Sequence, residues 1–398
     1  MSISRSTIFY ILSIVLGILA GISGLSFLAK TGSIISEIFI KMFRCISMPV
    51  ISLSVIVALS GHEVNDQFMK KVWKRTFLYT VSTTLIAAFL CATLYKLINP
   101  SNMTISTQAS SEQAPAKLDY IKYILDIIPD NITTAFSEHK VLSVLLISVI
   151  IGVATRFIKD TEAKQTVISF FKGIHSIFFS ITRFIVKILP IGLFGFITVS
   201  VVEMRHGMDL KGMGGYLSVI ALSNVLQGAL ILPVWLSIKG ISPVRNFKAM
   251  FPALSVAFFS KTSTGVLPVT IETAEEKLGI SPRISRFVLP LCTTINVNGC
   301  AIFVFTTVIY IMQNYGVEIS TSTMLTWILI STIAATGNAG IPMGCFFLSA
   351  SLLSSMDIPM PLLGMIIPFY GIIDMLEASL NVWSDSCIAS VVNKELSA

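Results

Sequence analysis

Runs of about 20 or more residues with almost no charge recur along this chain, and they restrict its fold more than any other feature. Clear apolar stretches lie at about 7–29, 33–60, 76–98, 138–158, 168–202 and 213–238, and two further long ones at 284–314 and 359–392. Lipid offers no partner to a backbone N–H or C=O, so a stretch of this length is stable there only as a helix that satisfies itself. Charged residues are 12% of the sequence, about half the share in soluble domains, which excludes an ordinary soluble enzyme or binding module. The first stretch lacks a small-residue cleavage site and another follows it, so it is expected to be a retained membrane helix. The expectation is an all-α polytopic membrane protein.

Basic residues gather in alternate connections. Lys70, Lys71, Lys74 and Arg75 precede the third stretch, Arg156, Lys159 and Lys164 follow the fourth, and Lys239, Arg245 and Lys248 follow the sixth. By the positive-inside rule these loops, and with them the N- and C-termini, are expected to face the cytoplasm. The net charge of +7 is then a matter of topology, and no nucleic-acid partner is expected. Six scattered cysteines form no CxxC pair, and read as packing thiols. The histidines, at 62, 139, 175 and 206, are isolated and read as surface or interfacial residues near loops and helix ends. There is no GxxxxGK[ST] loop, which counts against an ATP-driven pump, and no nucleophile paired with a base, which counts against an enzyme.

From about residue 249 the apolar pattern is interrupted. "FFSKTSTGVLPVT" (258–270) and "STIAATGNAGIPMGC" (331–345) are hydrophobic stretches broken by small polar residues, glycine and proline. Each is followed by a long run, the first broken at "TTINVNGC" (293–300) and the second holding Asp374, Glu377 and Asp385. Non-helical backbone at membrane depth is tolerated only inside protein or beside a cavity, and paired Gly/Pro-interrupted segments point to a carrier's binding site.

The acids share one stripe. At about 100° per residue, Asp374, Glu377, Asn381 and Asp385 fall at about 0°, 300°, 340° and 20°, a band about 80° wide, with Ser379 and Ser384 read as outside it. Facing lipid, each charge would cost about 2.5–3.5 kcal/mol even on the gentler scale, so the stripe must face protein, water or ions. Lys261 is the only base within the broken turns, and three acids without three bases suggest bound cations. Carboxylate, amide and carbonyl oxygens suit small hard cations. Asp385, Asn381, Asn296 and the carbonyls released around 296–299 read as a sodium site, and Asp374 as the partner of an ammonium group. Exposed amides around Ser263–Gly265 suit a carboxylate. Together these describe an amino acid as cargo.

Several motifs carry a family resemblance. "SMPVISLS" (47–54), "LPIGLFGF" (189–196), "VLPLCTTIN" (288–296), "KTSTGVLPVT", "NVNGC", "GNAGIP" and "DMLEASLNVWSD" stand in order along the chain. The sequence resembles the dicarboxylate/amino acid:cation symporters, which include the glutamate transporters. That resemblance implies eight transmembrane helices, two re-entrant hairpins and a homotrimer working as an elevator in the inner or plasma membrane. It implies mainly scaffold over 1–248, with helices 3 and 6 moving, a transport core over 249–392 and a cytoplasmic tail at 393–398. Sodium ions, or protons, would be co-substrates, membrane lipid the surroundings, and no organic cofactor is implied.

Carried over residue by residue, Ser263, Asn381 and hairpin backbone would hold the α-carboxylate and Asp374 the amino group. Thr264, Gly265, Cys300, Gly340, Glu377 and Ala378 would complete the substrate site. Asn296, Asn381 and Asp385 would form one sodium site, and Thr294 with the backbone near Thr336 and Asn338 another. Thr83, Thr84 and Asn298 match a further one, with Asn298 in place of an aspartate, so fewer coupled sodium ions are expected. Glu377 stands where acidic-substrate members have an arginine, and Cys300 where they have a threonine. Both changes favour a small neutral or hydroxyl amino acid, as in the family's bacterial serine/threonine symporters. A cationic amino acid pairing with Glu377, a dicarboxylate or acidic amino acid if Glu377 is neutral, proton coupling through Glu377, and a channel lined by the stripe are the alternatives.

Overall fold

A computed structural model describes residues 5–60, 67–103, 128–138, 140–205, 211–338 and 343–396, and among these every regular element is helical. The helices are α1 (Arg5–Ile22), α2 (Ser26–Ser60), α3 (Gln67–Ile98), α4 (Ile132–Ser137), α5 (Val141–Arg156), α6 (Thr161–Arg205) and α7 (Lys211–Leu226). A π-turn (Gln227–Ile231) joins α7 to α8 (Leu232–Ile238). Then come α9 (Pro243–Ser260), α10 (Ser263–Leu278), α11 (Pro282–Ile295), α12 (Asn298–Asn314), α13 (Thr321–Ala335), α14 (Gly344–Ser355) and α15 (Pro361–Leu396).

Four segments among the described residues are long and apolar enough to cross a membrane: Gln67–Ile98, Gly212–Ile238, Pro282–Asn314 and Pro361–Leu396. A fifth, in α6, bends by 49° between Ile185 and Lys187. Pro190 explains the bend, since its ring displaces the carbonyl four residues back and it has no N–H to give. Large apolar side chains such as Phe27, Phe170 and Phe259 stand on the outer surface, as expected where the surroundings are hydrocarbon.

Two groups of helices form. α1, α2, α5 and α6 pack chiefly on one another, while α3, α7 and α9 to α15 build the second group. The core of that second group is α11 and α12, whose apolar window is wholly buried. In the first group α2 and α6 touch through glycines: a Cβ on Gly195 would stand 2.9 Å from the Gly32 carbonyl oxygen and from the Ser36 nitrogen.

Some sequence expectations shift. α2 begins at Ser26 instead of near residue 33, because Gly24, at φ +71°, closes a tight turn after α1. Residues 393–396, expected in a tail, continue α15. They are pinned there: Glu395 accepts from Lys239 Nζ at 2.7 Å and from Tyr79 Oη at 2.7 Å, with Arg75 3.4 Å away. His175 lies well inside α6, 3.3 Å from Ser54 Oγ, and not near a helix end. His62, His139 and His206 lie outside the described residues.

Gly195→Ala is expected to destabilise the protein by about 1–3 kcal/mol through overpacking. Thermal unfolding in detergent checks this against Gly214→Ala, a site with nothing within 4 Å, where no loss is expected.

Candidate functional site

Three helix breaks meet the unbroken flank of α15. The first is at Lys261–Thr262, the second at Asn296–Val297, and the third between Thr336 and Met343, of which residues 339–342 are not described. Each break has a local cause. Lys261 takes the left-handed conformation (φ 58°) that ends α9, and Thr262 Oγ1 accepts the Gly265 amide to start α10. At the second break, Gly299 lets α12 approach α15 until backbones touch: an added Cβ would be 2.7 Å from Glu377 Cα. The Gly299 amide, left without a helical acceptor, donates to Asn381 Oδ1 at 2.9 Å. At the third, Gly344 leaves the space that the Asn338 side chain fills, since a Cβ there would collide with Asn338 Oδ1.

A buried polar network fills the space behind the second break. Thr83 Oγ1 donates to Asn296 Oδ1 at 3.0 Å, and Asn296 Nδ2 donates to Asp385 Oδ1 at 2.8 Å. Beside it, Thr84 Oγ1 donates to Asn298 Oδ1 at 2.9 Å, and Asn298 Nδ2 to Ser384 Oγ at 2.8 Å. Gln227, on the π-turn, donates to the Thr83 carbonyl at 3.2 Å. Asp385 Oδ2 is buried with no donor, an arrangement that costs about 1–3 kcal/mol or more unless a cation or proton completes it.

In front of the network is a small cavity of about 10 Å³, room for no more than a single water. Lys261, Thr262 and Ser263 line it from the first break, Asn338 and Cys345 from the third, and Asp374, Glu377, Ala378 and Asn381 from α15. Buried acceptors and hydroxyls without a well-formed hydrogen bond converge here: Ser263 Oγ, Asn338 Oδ1 and both carboxyl oxygens of Glu377. Asp374 accepts from the Met343 amide at 3.3 Å and from Tyr370 Oη at 3.4 Å. The Lys261 ammonium lies over Gly371, where an added Cβ would be 3.3 Å from Nζ, and its charge acts on Asp374.

The sequence-derived candidates divide accordingly. Ser263, Asp374, Glu377, Ala378 and Asn381 share the cavity wall, and Cys300 stands behind it against the Cys345 thiol. Asn296 and Asp385 come together, whereas Asn381 turns to the Gly299 amide. The amide of Gly265 is taken by Thr262, so it is not open to an anion, and Thr264 is half-buried beside it. Thr294 and Thr336 each donate to a carbonyl of their own helix, Leu291 and Ile333, and Asn338 turns to Cys345 Sγ. Gly340 lies outside the described residues.

Four contributors were not read from the sequence. Ser384, set aside as off the stripe, and Tyr370 both fall within about 20° of Glu377 or Asn381 around the helix, so helical spacing contained them. Cys345 and Gln227 carried no signal beyond being polar or small in an apolar run.

The arrangement defines an α-helical membrane protein whose interrupted helices converge on a buried, polar, cavity-lining site. The comparisons narrow the class: the profile of the sodium:dicarboxylate symporter family matches residues 7–395, and the chain belongs to that family. Its relatives include a proton/sodium-glutamate symport protein of Bacillus subtilis, 24% identical over 90% of this chain and 85% of the relative. The neutral amino acid transporter B(0) of Bos taurus is also 24% identical, over 90% of this chain and 72% of its own length. Excitatory amino acid transporter 3 of Mus musculus is 26% identical over 96% and 83%.

Removing the Asn298 amide would strand the buried Thr84 hydroxyl and leave Ser384 only its 3.3 Å bond to Asn296 Oδ1, and Asn298→Leu is expected to cost about 1–3 kcal/mol. In a double-mutant cycle with Thr84→Val, unfolding midpoints should give a coupling of about 0.5–3 kcal/mol, and additivity would mean the bridge contributes nothing.

Proposed function

We propose that this protein imports a small neutral amino acid bearing a hydroxyl group, such as serine or threonine, in symport with sodium. The observation that carries the reading is Glu377: it lines the cavity beside Asp374, and its buried carboxyl oxygens accept no well-formed hydrogen bond among the described residues, with the Cys345 thiol and the Tyr370 hydroxyl as polar neighbours. A substrate hydroxyl supplies a donor. A second substrate carboxylate would instead meet an oxygen-rich wall and leave two acceptors facing each other. The Lys261 ammonium, lining the same cavity, disfavours a cationic side chain.

In this reading Asp374 receives the substrate ammonium, and Ser263 and Asn381 receive its carboxylate together with first-hairpin backbone. Asp385 and Asn296 hold one sodium ion, for which the donorless Asp385 Oδ2 is the open ligand. Thr294 with backbone near Thr336 and Asn338 holds another. Thr83, Thr84 and Asn298 replace a third, because an amide bonded on both sides by Thr84 and Ser384 supplies no charge to a cation. The α9–α10 and α13–α14 pairs act as re-entrant hairpins within an eight-span fold. Residues 249–392 form the moving core of a homotrimeric elevator whose termini face the cytoplasm.

Uptake of labelled serine into proteoliposomes under an inward sodium gradient is the test. Competition by serine, threonine or alanine but not by aspartate is expected, and strong inhibition by aspartate would overturn the specificity. Glu377→Arg should reverse the ranking, admitting aspartate. Asp374→Asn removes a charge-assisted contact worth about 1.5–3 kcal/mol and should weaken serine by about 10- to 150-fold. Asp385→Asn should raise the sodium concentration for half-maximal uptake by about tenfold or more while Asp374→Asn leaves it near its original value. Uptake driven by a proton gradient alone would remove sodium from Asp385.

A further inference from the structure

The face of α15 opposite its polar stripe is also used. Leu376, Ser379, Leu380 and Trp383 fall at about 200°, 140°, 240° and 180° on the wheel that puts Asp374 at 0°. They floor a groove of about 690 Å³, within the range of small-molecule sites, walled by the π-turn on one side and α9 on the other. Its lining is almost wholly apolar. The two polar groups of the floor are satisfied internally: Trp383 Nε1 donates to the Gly228 carbonyl at 3.0 Å, and Ser379 Oγ to the Leu254 carbonyl at 3.4 Å.

The groove opens on the outer surface. Val225, Val244 and Phe247 at its edges are 53%, 63% and 44% exposed, so the medium beside it is the bilayer interior. At the end where α9 begins, the wall carries one charged side chain, Lys248, with Arg245 one turn earlier on the same helix face. No acidic residue lines the groove. An apolar trench with satisfied floor and a basic mouth matches a molecule with a long hydrocarbon chain and a negative head.

We propose that this groove is a binding site for an anionic phospholipid, with an acyl chain lying against Trp383 and the headgroup phosphate at Lys248 and Arg245. The site backs directly onto the helix that carries Asp374, Glu377, Asn381 and Asp385. A chain seated there fills the space into which α15 would otherwise relax, and holds the stripe against α12. The inference is independent of which substrate the front of the helix accepts.

Tryptophan quenching tests it in the full-length protein reconstituted into phosphatidylcholine nanodiscs. Brominated phosphatidylglycerol or brominated phosphatidylcholine is titrated in, and the Trp383 signal is isolated by difference from Trp383→Phe. Half-maximal quenching of Trp383 is expected at a mole fraction about 30-fold lower for the anionic lipid, the effect of two basic side chains near a charged headgroup at about fivefold each. Lys248→Gln with Arg245→Gln, both exposed positions, should erase that difference and leave quenching by the zwitterionic lipid in place. Ala229→Phe, which fills the groove, should abolish the anionic preference as well. Equal quenching by both lipids in the unaltered protein would mean ordinary surrounding lipid and overturn the proposal. So would absence of Trp383 quenching, whether the groove is closed or covered by a second copy of the chain.

Discussion

A peptide group inside a bilayer must find its partner within the protein, and the architecture follows from how this chain meets that demand. Breaking a helix at membrane depth exposes several N–H and C=O groups, each costing several kcal/mol in hydrocarbon. The chain breaks three helices near one point, supplies missing partners for two of the breaks from an unbroken neighbour, and caps the first with its own threonine. Asn381 takes the Gly299 amide, Asp374 takes the Met343 amide, and Thr262 takes the Gly265 amide. The groups that repair the breaks are therefore the same groups that form a polar chamber, and α15 serves both ends at once.

That economy also shapes the electrostatics. Amides, hydroxyls and thiols outnumber charges in the chamber, and Asn296, Asn298 and Ser384 bridge α3 to α15 without adding any. Charge is confined to a few carboxyl groups, and Asp385 Oδ2 is an oxygen that no donor among the described residues reaches. In the proposed reading a cation satisfies that oxygen, and its arrival would act on the helices that pack around it.

Much of this was legible in the sequence because membrane helices and their interruptions leave strong one-dimensional signals. The stripe of Asp374, Glu377, Asn381 and Asp385 followed from helical spacing, and the glycine- and proline-bearing breaks marked where the chamber lies. What was not legible depended on contacts between distant segments. Ser384 lies just outside the band drawn around the acids, and its role comes from Asn296 and Asn298 at the facing helix break. Gln227 stands in an apolar run, and its bond to the Thr83 carbonyl follows from a π-turn that no residue pattern announces. The direction of Asn338, toward Cys345 and the cavity, depends on the room left by Gly344, a pairing set by the turn between them.

The ion cluster around Glu395 has a consequence for the order of assembly. Arg75 and Lys239 lie on segments that come before the anion joining them, and Lys239 is 156 residues from Glu395 in the sequence. Until α15 docks, two cations and the Tyr79 hydroxyl face one another without the carboxylate that joins them. Closure of the α3, α8 and α15 ends thus waits on the docking of α15, which fastens two segments far from it in the sequence.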